Sequence, residues 1–283
     1  MASFPTIQTI STISTILTIP TMQFGLCENF NYLETARDAG FDYLEPFVNE
    51  LEPLSEGDYA ALRRRVADVG LPIGGFCRLF PWAVKVHDPA WTDDRLRDYL
   101  CRAFDRVAEL GGKWAVFGNG GARRRPDDVP YAVACRRLVE VLRLAGEVAA
   151  PRGLTVVFEP LHHGETNLGN HLCEGAAFVR EADHPAVKLL ADYFHMARVG
   201  ERMDEIARVG GVAHAHIATR GTRGFPHLDD GEEIPAFLAQ LRACGCDHCS
   251  VESCGNDRVA EESPHSLAYL RRAWANLPKP TES

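Results

Sequence analysis

Three observations predict that this chain folds as an α/β protein of the (β/α)8 TIM-barrel type. Strand-like and helix-like segments alternate through eight units between Met22 and Ala275, and such alternation implies a parallel sheet joined by right-handed crossovers. No Gly-rich phosphate fingerprint follows the first strand-like segment, where an open dinucleotide-binding sheet would carry one. The 283 residues would make two ordinary domains or one barrel of about 250 residues. No linker-like shift in composition divides the middle of the chain, so residues 22–283 read as a single domain.

Residues 1–21 are rich in Ser, Thr and Ile and have no Lys or Arg. They lack the positive n-region of a signal peptide and the roughly 20 apolar residues of a membrane span. They read as a low-complexity, poorly ordered leader, with an extra β-segment as the sharper alternative. The regular pattern then begins. MQFGLC (22–27) precedes a helix over 31–39 that stops at Gly40, and FDYLEP (41–46) leads to a helix over 57–69 closed by Gly70. LPIGGFC (71–77) reaches a helix over 93–110 through a loop with Pro and Trp, and KWAVFG (113–118) reaches one over 130–150 through a Gly/Arg loop. The remaining pairs are LTVVFEP (154–160) with 174–181, VKLLAD (187–192) with 202–209, VAHAHIA (212–218) with 234–243, and HCSVES (248–253) with 261–275.

Composition narrows the function. With 46% hydrophobic and 24% charged residues the chain can bury a sizeable core. A formal charge of -9 argues against a broad grip on nucleic acid and makes small molecules the default partners. Nine cysteines, spread through a long chain and often inside core-like segments, read as reduced thiols in a cytoplasm. Cys244, Cys246, His248, Cys249 and Cys254 invite a zinc reading. Strand geometry opposes it, since Cys249 and Cys254 would lie about 16 Å apart on opposite sides.

In a barrel, the chemistry sits at the C-terminal ends of the strands and in the loops beyond them. The last four strand-like segments end in Glu159, Asp192, His216 and Glu252. One such acid is as easily a helix N-cap as a functional group, but four on consecutive strands are harder to dismiss. Three carboxylates sharing a buried site repel one another unless protons or a cation compensate, so a divalent metal is the simplest resolution. His214 and His216 point to the same side, and His216, nearer the C-terminal end, is the better ligand. Oxygen-rich ligation with one imidazole suits Mn²⁺, Mg²⁺ or Co²⁺ at least as well as Zn²⁺, and Mn²⁺ is the expected metal.

The set FEPLHHGETN, LLADYFHM, HAHIATRGTR and SVES resembles the sugar phosphate isomerase/epimerase family over residues 22–275. This xylose-isomerase-like TIM-barrel group includes D-tagatose and D-psicose 3-epimerases, hydroxypyruvate isomerase, inosose dehydratase and endonuclease IV. The resemblance implies that Glu159, Asp192, His216 and Glu252 bind the metal. It further implies that Glu159 and Glu252 move protons on opposite faces of a ketose, the metal acidifying the C–H bond beside the carbonyl and stabilising an enediolate. Glu165 and His195 resemble substrate-holding positions, and Arg223 resembles a hydroxyl-contacting arginine, although one residue further from His216. Glu45 resembles a recurring strand-two glutamate that orients a ligand, binds a sugar hydroxyl or caps a loop. His163 is a further candidate beside the substrate; the pair His162-His163 stands where Asn-Arg is common, and Ala218 and Thr219 where an acid is common. Those departures leave the substrate open. The run Arg123, Arg124, Arg125 can hold a phosphate or carboxylate, or form a solvated or subunit-contact loop.

The expected activity is that of a divalent-metal-dependent isomerase or epimerase of a small ketose or polyol. A lyase on the same scaffold, of the inosose or 3-dehydroshikimate dehydratase type or acting on a keto-glycoside, is the alternative. An endonuclease IV-like repair enzyme would need further histidines at the third and fourth strand ends, where this chain has Cys77 and Asn119. A non-enzymatic binding role is the remaining class. The resemblance also implies a homo-oligomer, while the negative charge, the missing histidines and the lack of a long apolar run argue against nucleic-acid and membrane partners.

Overall fold

The computed structural model describes residues 21–227, 232–253 and 258–278. The predicted leader therefore lies outside the described residues apart from Thr21, and so does Cys254.

The described residues form seven parallel strands: β1 (Gln23–Leu26), β2 (Tyr43–Leu44), β3 (Trp114–Phe117), β4 (Thr155–Phe158), β5 (Val187–Asp192), β6 (His214–Ile217) and β7 (His248–Val251). Their order is β2-β1-β7-β6-β5-β4-β3. The predicted third strand, residues 71–77, does not form a regular strand. Pro72 lacks a donor, and Gly74 and Gly75 have no side chain to pack, so a continuous ladder is disfavoured. The segment nonetheless closes the barrel through isolated parallel bridges, Leu44 to Ile73 and Phe47 to Cys77 on one side and Phe76 to Ala115 on the other. The fold is thus a closed barrel with seven regular strands and one bridging segment.

The long outer helices follow from amphipathic spacing. In α4 (Asp93–Glu109) the residues Leu96, Tyr99, Leu100, Ala103, Phe104 and Val107 recur at helical intervals and are buried. Thr92 accepts from the Arg95 amide and caps its N-terminus. The helices α1 (Leu33–Ala39), α3 (Glu56–Val69), α6 (Tyr131–Ala149), α7 (Leu172–Ala182), α10 (Ile234–Cys244) and α11 (Val259–Ala275) match the expected spans to within about two residues. The helix expected over 202–209 shrinks to α9 (Glu205–Arg208). Three short helices at the strand ends lack a sequence signal strong enough to have been read: α2 (Val48–Leu51), α5 (Gly120–Arg123) and α8 (Tyr193–Arg198). None of the described helices is long and apolar enough to cross a membrane.

Period-two alternation divides the strand residues between two cores. Ala115, Phe117, Val156, Phe158, Leu189, Ala191, Ala215 and Val251 face the helices. Tyr43, Trp114, Val116, Val157 and Leu190 share a separate interior cluster with Cys27, Phe47 and Cys77. Two residues beyond Tyr43, Val157 and Leu190 on the same face stand Glu45, Glu159 and Asp192. The alternation that fills the barrel thus delivers its carboxylates inward at the open end.

The interior is crowded below that layer. A Cβ on Gly25 would lie 2.0 Å from the Tyr43 ring, and that ring stands edge-on to Trp114 at 5.5 Å. Gly25→Ala should therefore destabilise the fold by about 1–3 kcal/mol through overpacking. A denaturant titration showing an unchanged midpoint would contradict this packing.

Candidate active site

Four side chains from adjacent strand ends converge at the top of the barrel. Glu159 follows β4, Asp192 ends β5, His216 lies in β6 and Glu252 follows β7. Each offers a ligand atom within 4.8 Å of the others, and all four residues are buried. His216 Nδ1 lies 3.3 Å from Glu159 Oε1 and 3.3 Å from Glu252 Oε2.

The second nitrogen of His216 points down the barrel to Glu45, with Nε2 3.2 Å from Glu45 Oε2. Glu45 is fully buried beneath the cluster and accepts from Trp114 Nε1 at 2.9 Å and from the Ser250 hydroxyl; His214 Nε2 lies 3.0 Å away. Glu45 thus lies beneath the cluster, bonded to His216 Nε2. A carboxylate on Nε2–H fixes the tautomer that presents the Nδ1 lone pair to the cluster.

Charge makes the cluster receptive to a cation. Burial alone would disfavour an imidazolium at His216, yet Glu45, Glu159 and Glu252 outweigh it and push its pKa well above the ordinary value. Burial and the neighbouring Glu159 push Asp192 well above the carboxylate range. Negative charge sufficient to protonate a fully buried histidine would be relieved by a divalent ion, and three carboxylates with one neutral imidazole form a suitable donor set.

Around the cluster, Arg223 is the central connector. It sits in the left-handed region at φ 52°, packs over the Phe194 ring at 4.8 Å, and donates to Glu165 Oε1 at 2.9 Å and to Glu252 Oε2 at 2.8 Å. Burial would raise Glu252, but Arg223 and His216 outweigh it and hold this carboxyl well below the usual range. Glu165 is raised, chiefly by burial.

His195 lies in the first turn of α8, where Asp192 Oδ1 accepts from the Phe194 and His195 amides at 2.6 and 3.3 Å. Asp192 therefore caps that helix with one oxygen and faces the cluster with the other. The amide of His162 donates to His195 Nδ1 at 3.1 Å, which leaves the proton of neutral His195 on Nε2. Burial and Arg223 keep its pKa well below the ordinary value.

His163 is not brought to the cluster: it is exposed and packs edge-on to His171 at 5.6 Å. The neighbouring His162 is the one that approaches, with its ring 5.2 Å from that of His195 and its Nε2 3.4 Å from Glu165. The three arginines separate as well. Arg123 is fully buried and donates to the carbonyls of Phe117, Glu159 and Leu168 at 3.0, 2.6 and 3.1 Å, so it clamps the ends of β3 and β4. Burial lowers it to about 10. Arg125 bonds to the carbonyls of Pro126 and Val129. Only Arg124 of the run lines the cavity above the cluster, a space of about 510 Å³ that also meets Arg78, Trp82, Asn49 and Cys77. Arg78 directly follows the 71–77 segment, where strand-end residues gather, and no motif in the sequence marks it. Among the described residues, Cys244, Cys246, His248 and Cys249 form no metal-binding group, and the eight described cysteines are free thiols.

An L-ribulose 3-epimerase of Mesorhizobium japonicum is 27% identical over 258 residues, covering 86% of this chain and 82% of that protein. A 3-dehydroshikimate dehydratase of Pseudomonas putida is 33% identical over 234 residues, covering 75% of this chain but 34% of that protein. The crystal structure of a D-psicose 3-epimerase superposes with a TM-score of 0.75 at 19% identity, covering 90% of this chain and all of that one. Residues 33–273 match the model of the xylose isomerase-like TIM barrel family. The chain is an enzyme and belongs to the xylose isomerase-like TIM barrel family.

Proposed function

We propose that this enzyme is a divalent-metal-dependent epimerase or isomerase of a small ketose or related polyol, with Mn²⁺ as its metal. The observation that carries the reading is the convergence of Glu159, Asp192, His216 and Glu252 with their ligand atoms within 4.8 Å, in a chain similar to ketose 3-epimerases. Those four side chains would hold the metal, which supplies Lewis-acid polarisation of the substrate's oxygens.

The protein's own part is proton transfer. Glu252, kept ionised by Arg223 and His216, and Glu159 stand on separate strands on either side of His216. One carboxylate removes the C–H proton beside the carbonyl and the other returns a proton to the opposite face; the roles exchange in the reverse direction. His195 contributes an Nε2–H donor that stays neutral, and Glu165 with Arg223 offers contacts to hydroxyls. A lyase that begins with the same proton removal is the second reading, favoured by the match to the dehydratase.

Glu159 owes its position to a neighbour without a side chain. A Cβ on Gly118 would lie 1.8 Å from Glu159 Oε2, so Gly118→Ala should displace the carboxylate and lower kcat/KM by roughly tenfold to a hundredfold, the usual cost of disturbing a group that positions a metal ligand. An activity assay showing no loss would mean that the carboxylate tolerates displacement. In deuterated water, the Mn²⁺-loaded enzyme should exchange a ketose C–H proton, and Glu159→Gln or Glu252→Gln should reduce that exchange by about 10²–10⁴-fold. Full exchange in both variants would refute the assignment, and an unsaturated product without epimer would favour the lyase. Independently of turnover, Mn²⁺ at about a hundredfold over its Kd should stabilise the fold by about 2.7 kcal/mol. Chelation should reverse the shift in thermal midpoint, and Asp192→Asn should abolish it.

A further inference from the structure

Two buried thiols meet beside the carboxylate cluster, and the proposed reaction uses neither. Cys27 follows β1, where its amide donates to the Val251 carbonyl at 2.9 Å, and Cys77 ends the 71–77 segment, where its amide donates to the Pro46 carbonyl at 2.7 Å. These segments are separated by β2, so only closure of the barrel brings the two side chains together. Both residues are buried, and the Cys27 thiol is hydrogen-bonded to Cys77. Cys77 in turn donates to Glu252 Oε1 at 3.7 Å and lines the cavity of about 510 Å³ above the cluster. The sulfurs of Cys27 and Cys77 and a ring nitrogen of His216 lie within 4.8 Å of one another.

Packing alone does not account for this set. A buried free cysteine commonly serves as a small hydrophobe, and Cys249 is such a residue: it is fully buried, and among the described residues it joins no group of ligating side chains. Two sulfurs and one imidazole beside a cavity form the donor set of a softer ion, as in zinc sites that take two Cys and one His and keep a fourth position for water. The neighbouring oxygen-rich cage suits a harder ion such as Mn²⁺. His216 belongs to both sets.

We propose that Cys27, Cys77 and His216 form a second metal site, selective for thiophilic divalent ions such as Zn²⁺ or Cd²⁺, and that an ion held there displaces Mn²⁺ from the carboxylate cage. The site stands on its own donors; only the displacement rests on the reading of the cage as a Mn²⁺ site. Displacement follows from the shared ligand. An ion on the sulfurs takes the one imidazole of the cage, and it brings a second double positive charge close to the first. Binding exchanges two S–H bonds for two metal–sulfur bonds and releases two protons to solvent. The cavity that Cys77 lines gives the ion its path.

The test adds one equivalent of Cd²⁺ or of Zn²⁺ to enzyme freed of metal by chelation, and Cd²⁺ to enzyme loaded with Mn²⁺. Cd²⁺ should produce a thiolate-to-metal charge-transfer band in the ultraviolet, and X-ray absorption of the zinc-loaded protein should show two sulfur neighbours at about 2.3 Å. In the Mn²⁺-loaded enzyme, the electron paramagnetic resonance signal of free Mn²⁺ should return as Cd²⁺ binds. Cys27→Ala and Cys77→Ala should each weaken Cd²⁺ binding by more than about tenfold, while continued Mn²⁺ binding reports a folded site. Zinc with only nitrogen and oxygen neighbours, or a Cd²⁺ band undiminished in both variants, overturns the site. Mn²⁺ that stays bound beside sulfur-held Cd²⁺ overturns the displacement. A cysteine-dependent Cd²⁺ band in an enzyme that takes up no Mn²⁺ leaves the thiol site standing and refutes the reading of the cage instead.

Discussion

Negative charge buried on the barrel axis is the constraint to which the rest of the site responds. Glu45, Glu159, Asp192 and Glu252 are all removed from water, and each buried ion costs several kcal/mol unless it is paired. Glu45 is satisfied from within: Trp114, Ser250, His214 and His216 surround it, and the two histidines outweigh burial to keep it ionised. The upper three carboxylates share one imidazole and the guanidinium of Arg223. The lower carboxylate is therefore a fixed part of the scaffold, while the upper ones still attract positive charge, and His216 lies between the two layers as their common partner.

The scaffold holds these groups through backbone and aromatic contacts that are invisible to a list of ligands. Arg123 ties the carbonyl of Glu159 to that of Phe117, so the strand end carrying a candidate proton carrier is pinned from behind. Its guanidinium also lies 4.6 Å over the Phe158 ring, which offsets part of the cost of burying the charge. Below, Tyr43 donates or accepts at Ser250 Oγ, 3.0 Å away, and so links the floor of the barrel to the residue beside Glu45. Truncating Arg123 would therefore disturb the site through position, with no contact to substrate.

Much of this was legible because the barrel repeats a simple rule. Alternation along VVFEP, LLAD, HAHI and SVE fixes which residues point inward, and the strand-end rule then picks Glu159, Asp192, His216 and Glu252. Where local sequence is ambiguous, tertiary context decided. The bridging form of 71–77 depends on aromatic rings from β2 and β3 occupying the space beside Gly74 and Gly75. His162 and His163 are equivalent in sequence, and only the turn at Gly164, whose amide bonds to His162 Nδ1, decides which of them faces His195. Likewise Arg123, Arg124 and Arg125 form one basic run, but α5 turns the first into the core, leaves the second at the cavity and bends the third back to the loop.

The two carboxylates assigned to proton transfer are held unequally, and the proposed chemistry gives that inequality a use. Glu252 is gripped by Arg223, which also holds Glu165 and approaches His195 Nε2 at 3.5 Å. Among the described residues, Glu159 meets only His216 through its carboxylate hydrogen bonds, in space left by Gly118. In the proposed reaction Glu252 would therefore enter as the carboxylate held ionised by Arg223 and His216, while the position of Glu159 would depend on the space that Gly118 leaves.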